Sequence, residues 1–312
     1  MIAPVPAPST GSDHGLLTGS PQVIGHRGAS GHRPENTLAA YRLAVRMGAD
    51  AIEPDLVPTR DGVLVARHEN EISRTTDVAD HPELADRRRT KVVGGREVTG
   101  WFTEDLTLAE LRTLRAVERH PAMRPGNTRY DGLWAVPTLD EICALVHHES
   151  RRSGRRIRLC AEIKEASYFA SIGLPVEETL LEVLARHRLD GPGGRSQLQS
   201  FEEDALRRLA GQTDVPLVRL VDEGECPDVA RVATYASVLG VHKSLATPDL
   251  VAEAHAFGLA VHAWTLRAEL VPDPYAEVRD LLDAGVDGLF SDQPDITVAA
   301  RADWLAAQER TG

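Results

Sequence analysis

The chain has 312 residues, 42% hydrophobic and 26% charged, enough apolar content for a full core and too balanced for a collagen-like, low-complexity or wholly disordered chain. With 35 Lys and Arg against 47 Asp and Glu, the net charge of −12 has the wrong sign for general attraction to nucleic acid or an anionic membrane surface. Cys143, Cys160 and Cys226 are widely spaced, form no CxxC pair and read as unpaired thiols.

Residues 1–20, rich in Pro, Ser and Gly, read as a flexible tail without the basic and apolar regions of an export signal. No apolar run approaches the ~20 residues of a spanning helix. The expectation for the chain as given is a cytoplasmic protein without a membrane anchor; a truncated start would make a periplasmic or secreted location the expectation instead.

Beyond the tail, short apolar runs predict nine strands at 22–26, 51–55, 63–67, 157–163, 197–200, 217–221, 238–241, 259–264 and 288–290. Helices are predicted between many of them, at 35–47, 139–149, 176–187 and 248–257. Only residues 56–62 separate the second run from the third, fewer than the dozen or so a parallel crossover needs. Those two runs therefore form a hairpin about Thr59-Arg60-Asp61-Gly62. Removing that arm leaves eight strands with helix-length connections, the count of a (β/α)8 TIM barrel, predicted as a single domain over 21–300. An insertion at about 69–137 follows the hairpin, and its Thr107-x-x-Glu110 capping box opens a helix with Leu108, Leu111 and Leu114 on one side.

Chemistry-bearing residues gather at strand ends, where barrel active sites are built. The first strand ends in His26 and Arg27. The second carries Glu53 and Asp55, which as i and i+2 of a strand share a face and are costly there unless they bind something. Folding the hairpin about positions 60 and 61 sets His68 opposite Glu53. The fourth run ends in Glu162 and Lys164, which an ordinary ion pair would also explain. Carboxylates without thiolates favour a hard cation such as Mg²⁺ or Ca²⁺, and two imidazoles beside it suit metal-assisted phosphoester chemistry. Capping accounts for Glu35, Asn36 and Thr37, the helix dipole for His147 and His148 beside Glu149, and core or supporting positions for His242 and His262.

In order, His26-Arg27-Gly28, Pro34-Glu35-Asn36-Thr37, Glu53-x-Asp55, Thr59-x-Asp61-Gly62, His68, Glu162-x-Lys164, Gln199-Ser200-Phe201, Trp264-Thr265 and Asp287-Gly288 to Asp292 resemble the glycerophosphodiester phosphodiesterase family, from Val23 to Pro294. The insertion, with Arg74 to Val78 and Gly100 to Asp105, is similar to the longer, periplasmic bacterial type. The resemblance implies that Glu53, Asp55 and Glu162 hold one Ca²⁺ or Mg²⁺, that His26 and His68 are the acid–base pair, and that Arg27 and Lys164 bind phosphate. Phe201 and Trp264 would wall the substrate pocket. It also implies hydrolysis of small glycerophosphodiesters, such as glycerophosphocholine, to sn-glycerol 3-phosphate and an alcohol, through attack of the glycerol 2-hydroxyl and a cyclic phosphate. Which histidine starts as base stays open.

One departure from the family is Glu69, where an Asp usually follows the second histidine. Two other readings remain: a lysophospholipase D or sphingomyelinase D-like activity, which needs an apolar rim that the polar stretch from Asp77 to Arg96 does not suggest, and a binding barrel without turnover, whose signature would be a lost histidine or metal carboxylate.

Overall fold

The computed structural model describes residues 19–191 and 195–311, so the predicted tail lies outside the described residues except for its last two positions. Eight parallel staves close into the predicted (β/α)8 barrel: β1 (Gln22–His26), β2 (Ala51–Glu53) continued by β3 (Asp55–Pro58), β7 (Arg158–Ile163), β8 (Ser196–Ser200), β9 (Leu217–Val221), β10 (Val238–His242), β11 (Ala260–Leu266) and β12 (Gly288–Ser291). The β1–β12 and β2–β7 pairings close the ring. Among the described residues three further strands lie outside it: β4 (Leu64–Ala66), β5 (Arg89–Val93) and β6 (Arg96–Gly100).

Period-2 alternation sorts the barrel strands. Leu159, Ala161 and Ile163 of β7 face the surrounding helices in the large outer core, whereas Cys160 packs inside the barrel with Ile24, Ala51 and Phe290. Val218, Leu220, Val238 and Ala260 fill the other side of the interior.

The predicted strand at 51–55 is interrupted at Pro54, which has no N–H to donate; its carbonyl still accepts from the Glu162 N–H at 2.9 Å, so β2 and β3 run along β7 in one register. The hairpin is therefore β3 with β4, pairing Leu56 with Ala66 and Pro58 with Leu64. This register is one residue off the prediction: the Arg67 N–H donates to the Asp55 carbonyl, placing His68 across from Pro54 rather than Glu53.

The helix predicted from 35 begins only at Leu38, with Thr37 as its cap. Ahead of it, Gly28 has φ +85°, and a Cβ there would lie 2.5 Å from the Ala40 backbone, so glycine lets the loop after β1 fold onto this helix. Between β4 and the helix Leu139–Ser153, the insertion forms the antiparallel β5–β6 hairpin, the capped turn Leu108–Leu111 and irregular backbone pinned by a Thr76–Ala116 bridge. No helix among the described residues is long and apolar enough to cross a membrane.

Candidate active site

The carboxyl ends of β1, β2, β7 and β8 meet at the start of β3. His26 is in register with Glu53, and Asp55, Glu162 and Gln199 form a row across β3, β7 and β8. His26, Glu53, Glu162 and Gln199 are the last inward residues of β1, β2, β7 and β8, and Asp55 opens β3.

The three acids cluster as their spacing suggested, with ligand oxygens of Glu53, Asp55 and Glu162 all within 4.8 Å of one another. All three are buried. Burial, with the charges of Asp55 and Glu162, pushes Glu53 well above the usual carboxylate range. Burial opposes ionisation of Asp55 too, but Lys164 and Arg27 outweigh it and hold that carboxyl well below its ordinary value. Glu162 is raised to about 7 by burial, against the pull of Lys164. Lys164 Nζ lies 2.5 Å from Glu162 Oε1 and 3.3 Å from Asp55 Oδ1, and Gln199 Nε2 donates to Glu53 Oε1 at 2.8 Å.

Arg27 sits in the left-handed region, φ 55°, a conformation that costs a non-glycine residue ~1–3 kcal/mol and aims its groups at the acids. Its backbone N–H donates to Glu53 Oε2 at 3.0 Å, and its Nε lies 3.1 Å from Asp55 Oδ2. Asn36, also left-handed at φ 53°, donates to Asp55 Oδ2 at 2.8 Å while its own Oδ1 accepts from the Tyr41 hydroxyl at 2.6 Å. Capping therefore explains Thr37 but not Asn36 or Glu35. Asn36 orients an acid of the cluster, and Glu35 ties Arg27 Nη1, 3.2 Å away, to Arg119.

Each of the two histidines has a carboxylate at Nδ1. His26 Nδ1 lies 2.5 Å from Asp292 Oδ1 at the end of β12, and His68 Nδ1 lies 2.7 Å from Glu69 Oε1. The longer side chain at 69 thus still reaches the imidazole. Burial first, then Arg27, lowers the pKa of His26 despite Asp292, and burial with Arg27 and Lys164 draws His68 down to about 4.

His26, Arg27, Glu53, His68, Glu162 and Lys164 line one cavity of about 240 Å³, walled by Phe201 and Trp264, whose rings meet edge to face at 5.5 Å. Asp55 does not line the cavity but clusters with Glu53 and Glu162, which do, so every predicted site residue belongs to this one region. An outer vestibule of about 1020 Å³ shares His68, Lys164, Phe201 and Trp264 with the cavity, whereas His26 and Arg27 line only the inner chamber. His262 is fully buried in the barrel, as expected of a core position; His242 instead sits half-buried at the rim, its ring 5.2 Å from that of Trp264. His147 Nε2 is occupied by the His187 carbonyl at 2.8 Å, and Glu149 by Arg152 at 2.9 Å.

Sequence reasoning gave no role to Asp292, Gln199, Arg267, Arg119 or Arg124. Asp292 follows a barrel strand as His26 does, so the strand-end criterion reaches it. Arg119 and Arg124 come from irregular backbone of the insertion, where no periodicity marks which side chains point inward.

Residues 26–296 match the family described as the glycerophosphoryl diester phosphodiesterase family. The chain is 34% identical to a glycerophosphodiester phosphodiesterase of Arabidopsis thaliana, covering 89% of this chain and 85% of that protein. It is 30% identical to a glycerophosphodiester phosphodiesterase of Bacillus subtilis, covering 95% and 91%. A solved phosphodiesterase of Oleispira antarctica, in complex with the product sn-glycerol-3-phosphate, superposes with a TM-score of 0.67 at 26% identity over 90% of this chain and 96% of that one.

Proposed function

Since the chain belongs to the glycerophosphoryl diester phosphodiesterase family and is a phosphoric diester hydrolase, we propose that it cleaves small, water-soluble glycerophosphodiesters such as glycerophosphocholine to sn-glycerol 3-phosphate and an alcohol. The observation that carries this reading is the convergence of two carboxylate-bound imidazoles, Arg27, Lys164 and the acid cluster around one cavity. The product bound to the Oleispira relative supports the glycerophosphate side of the substrate.

The acid cluster suits a hard divalent cation. Its ligand atoms are all carboxylate oxygens, and the buried Asp55 Oδ1 and Glu162 Oε1 accept no hydrogen bond of good geometry. Glu53, Asp55 and Glu162 would hold Ca²⁺ or Mg²⁺, which when bound supplies positive charge to phosphate oxygens and lowers the pKa of a nearby hydroxyl.

The chain's own residues divide the remaining work. Arg27 and Lys164 bind the phosphodiester anion, whose charge offsets the two cations that depress His68. His26, confined to the inner chamber, accepts the proton of the glycerol 2-hydroxyl as that oxygen bonds to phosphorus. His68 faces the vestibule, through which the alcohol leaves, and gives it a proton as its bond to phosphorus breaks. Water then opens the cyclic phosphate with the two imidazoles in reversed roles. Glu69, Glu71, Arg96, Glu165, Glu202 and Asp222 place charges around the vestibule, beside the apolar Val92, Val93, Val98, Phe201 and Trp264.

The test is release of sn-glycerol 3-phosphate from glycerophosphocholine by the full chain, with EDTA and after adding back Ca²⁺ or Mg²⁺. Release abolished by EDTA and restored by one ion is expected. No release with either ion overturns the reading.

A further inference from the structure

Resting on the acid–base reading of His26 and His68, we propose that the insertion positions both imidazoles: its Arg119 holds the carboxylate on His68, and its Arg124 the carboxylate on His26. Residues 116–131 cross the mouth of the barrel, irregular up to Arg124 and then a 3-10 helix at Pro125–Tyr130, held by hydrogen bonds from Val117 N–H to the Thr75 carbonyl at 3.0 Å and from Asn127 Nδ2 to the Ser30 carbonyl at 3.2 Å. From this segment two guanidinium groups reach in, with side chains only 8% and 6% exposed.

Arg119 grips two carboxylates at once. Its Nη1 and Nη2 donate to Glu69 Oε1 and Oε2 at 2.9 and 2.6 Å, and its Nε and Nη2 donate to Glu35 Oε2 and Oε1, both at 2.7 Å. Glu69 in turn accepts from His68, and Glu35 pairs with the phosphate-facing Arg27. Glu69 needs this grip, since its side chain is 44% exposed. Unheld, it would exchange among rotamers and release the imidazole.

Arg124 repeats the arrangement on the other side. Its Nη2 donates to Asp292 Oδ2 at 2.5 Å, leaving Oδ1 for His26; its Nε donates to Glu269 at 2.6 Å and its Nη1 to the Ser30 carbonyl at 3.0 Å. Arg267 Nε shares Asp292 Oδ2 at 3.1 Å, so His26 has two cations behind its carboxylate where His68 has one. In both assemblies a forked guanidinium bridges two acidic side chains, Glu69 and Glu35 for Arg119, Asp292 and Glu269 for Arg124, in a planar geometry that a lysine ammonium cannot reproduce.

The full chain carrying Arg119→Met, Arg119→Lys, Arg124→Met or Arg124→Lys tests this with two readouts. The first is ¹⁵N NMR of the His26 and His68 rings, assigned by signals lost in His26→Gln and His68→Gln, at a pH where the rings are neutral. The wild type should show the proton on Nδ1 of both rings, and each arginine variant should shift only its own histidine toward a mixture of tautomers. The second is turnover. Both methionine variants should lose about 10–100-fold in kcat on glycerophosphocholine. Arg119→Met should lose far less on a p-nitrophenyl glycerophosphodiester, whose leaving group needs no proton from His68, while Arg124→Met loses equally on both.

Folded variants with wild-type tautomers and kcat within twofold overturn the inference. Should the methionine variants fail to fold, the lysine variants decide: wild-type tautomers and turnover in these would show that the fork is not needed. The tautomer readout does not require that the chain hydrolyse any diester, so failure of the functional reading and failure of this one are separable.

Discussion

Two layers of the same barrel interior, one residue pair apart along the strands, are built on opposite terms. The upper layer holds His26, Glu53, Glu162 and Gln199; directly below it lie Ile24, Ala51, Cys160 and Phe290, with His262 alongside. His26 above Ile24, Glu53 above Ala51 and Glu162 above Cys160 share β1, β2 and β7, so strand geometry does not distinguish the layers. The upper layer gathers like charges that burial penalises, as the raised carboxyls of Glu53 and Glu162 record. The lower one gains from apolar burial and keeps its one imidazole neutral. Function is concentrated where the structure is least content, and the layer beneath supplies the cohesion that tolerates it.

The strongest way to sharpen this contrast is Glu162→Gln. Neutralising one acid should lower kcat/KM at least ~10³-fold if a metal supplies several kcal/mol to the reaction. The same change should raise the unfolding midpoint of the metal-free chain by about 2–4 °C, the equivalent of ~1 kcal/mol of relieved repulsion. Calorimetry under EDTA reads the second effect, and a lowered midpoint would break the comparison. Next in size, His26→Ala and His68→Ala should each cost ~10²-fold or more in kcat with an unchanged circular dichroism spectrum. Near-normal turnover in either would remove that histidine from the acid–base pair.

His262 gives the lower layer a pH signature. Burial, with Arg158, lowers its pKa to about 3, whereas in the unfolded chain it is near 6.5. The unfolded state therefore takes up this proton first as the pH falls. The contribution is complete above about 6.5 and is lost progressively between about 6.5 and 3, at up to ~1.4 kcal/mol per pH unit. Denaturant unfolding of wild type and His262→Leu over this range should give curves whose difference has that slope. Parallel curves would mean that the ring is solvated or charged in the fold.

The same contrast explains what could be read from the sequence. The barrel was legible because a buried parallel strand is a short apolar run and its connections have helix length; the acids were legible because a charge at the end of such a run is anomalous. The hairpin register differs by one residue because the turn spans five residues, Thr59 to Val63, with the Thr59 N–H donating to the Val63 carbonyl, so it is centred on Asp61 and not between positions 60 and 61. The β5–β6 hairpin was missed because it is largely solvent-exposed and carries no clean alternation, although Gly94-Gly95 at its turn was a usable signal. Arg119 and Arg124 act from backbone without a period, so only the fold shows that they face inward. Asn36 was mistaken for a capping residue because its neighbour Thr37 is one.

The smallest predicted effect tests whether the two layers are independent. Ile24 is fully buried in β1, paired in register with Ala51 and packed with Cys160 and Phe290, two positions below His26. Ile24→Val removes one methylene and leaves a gap too small for water, so unfolding in urea should show a loss of about 0.5–1.5 kcal/mol. The side chains above are held by partners of their own level: Asp292 on His26, Gln199 and the Arg27 N–H on Glu53, Lys164 on Glu162. None of these passes through Ile24, so kcat of the folded variant should stay within about twofold of wild type. A tenfold drop in kcat at that modest cost in stability would show that packing below sets the geometry above, and the barrel interior would then be one mechanical unit rather than two layers.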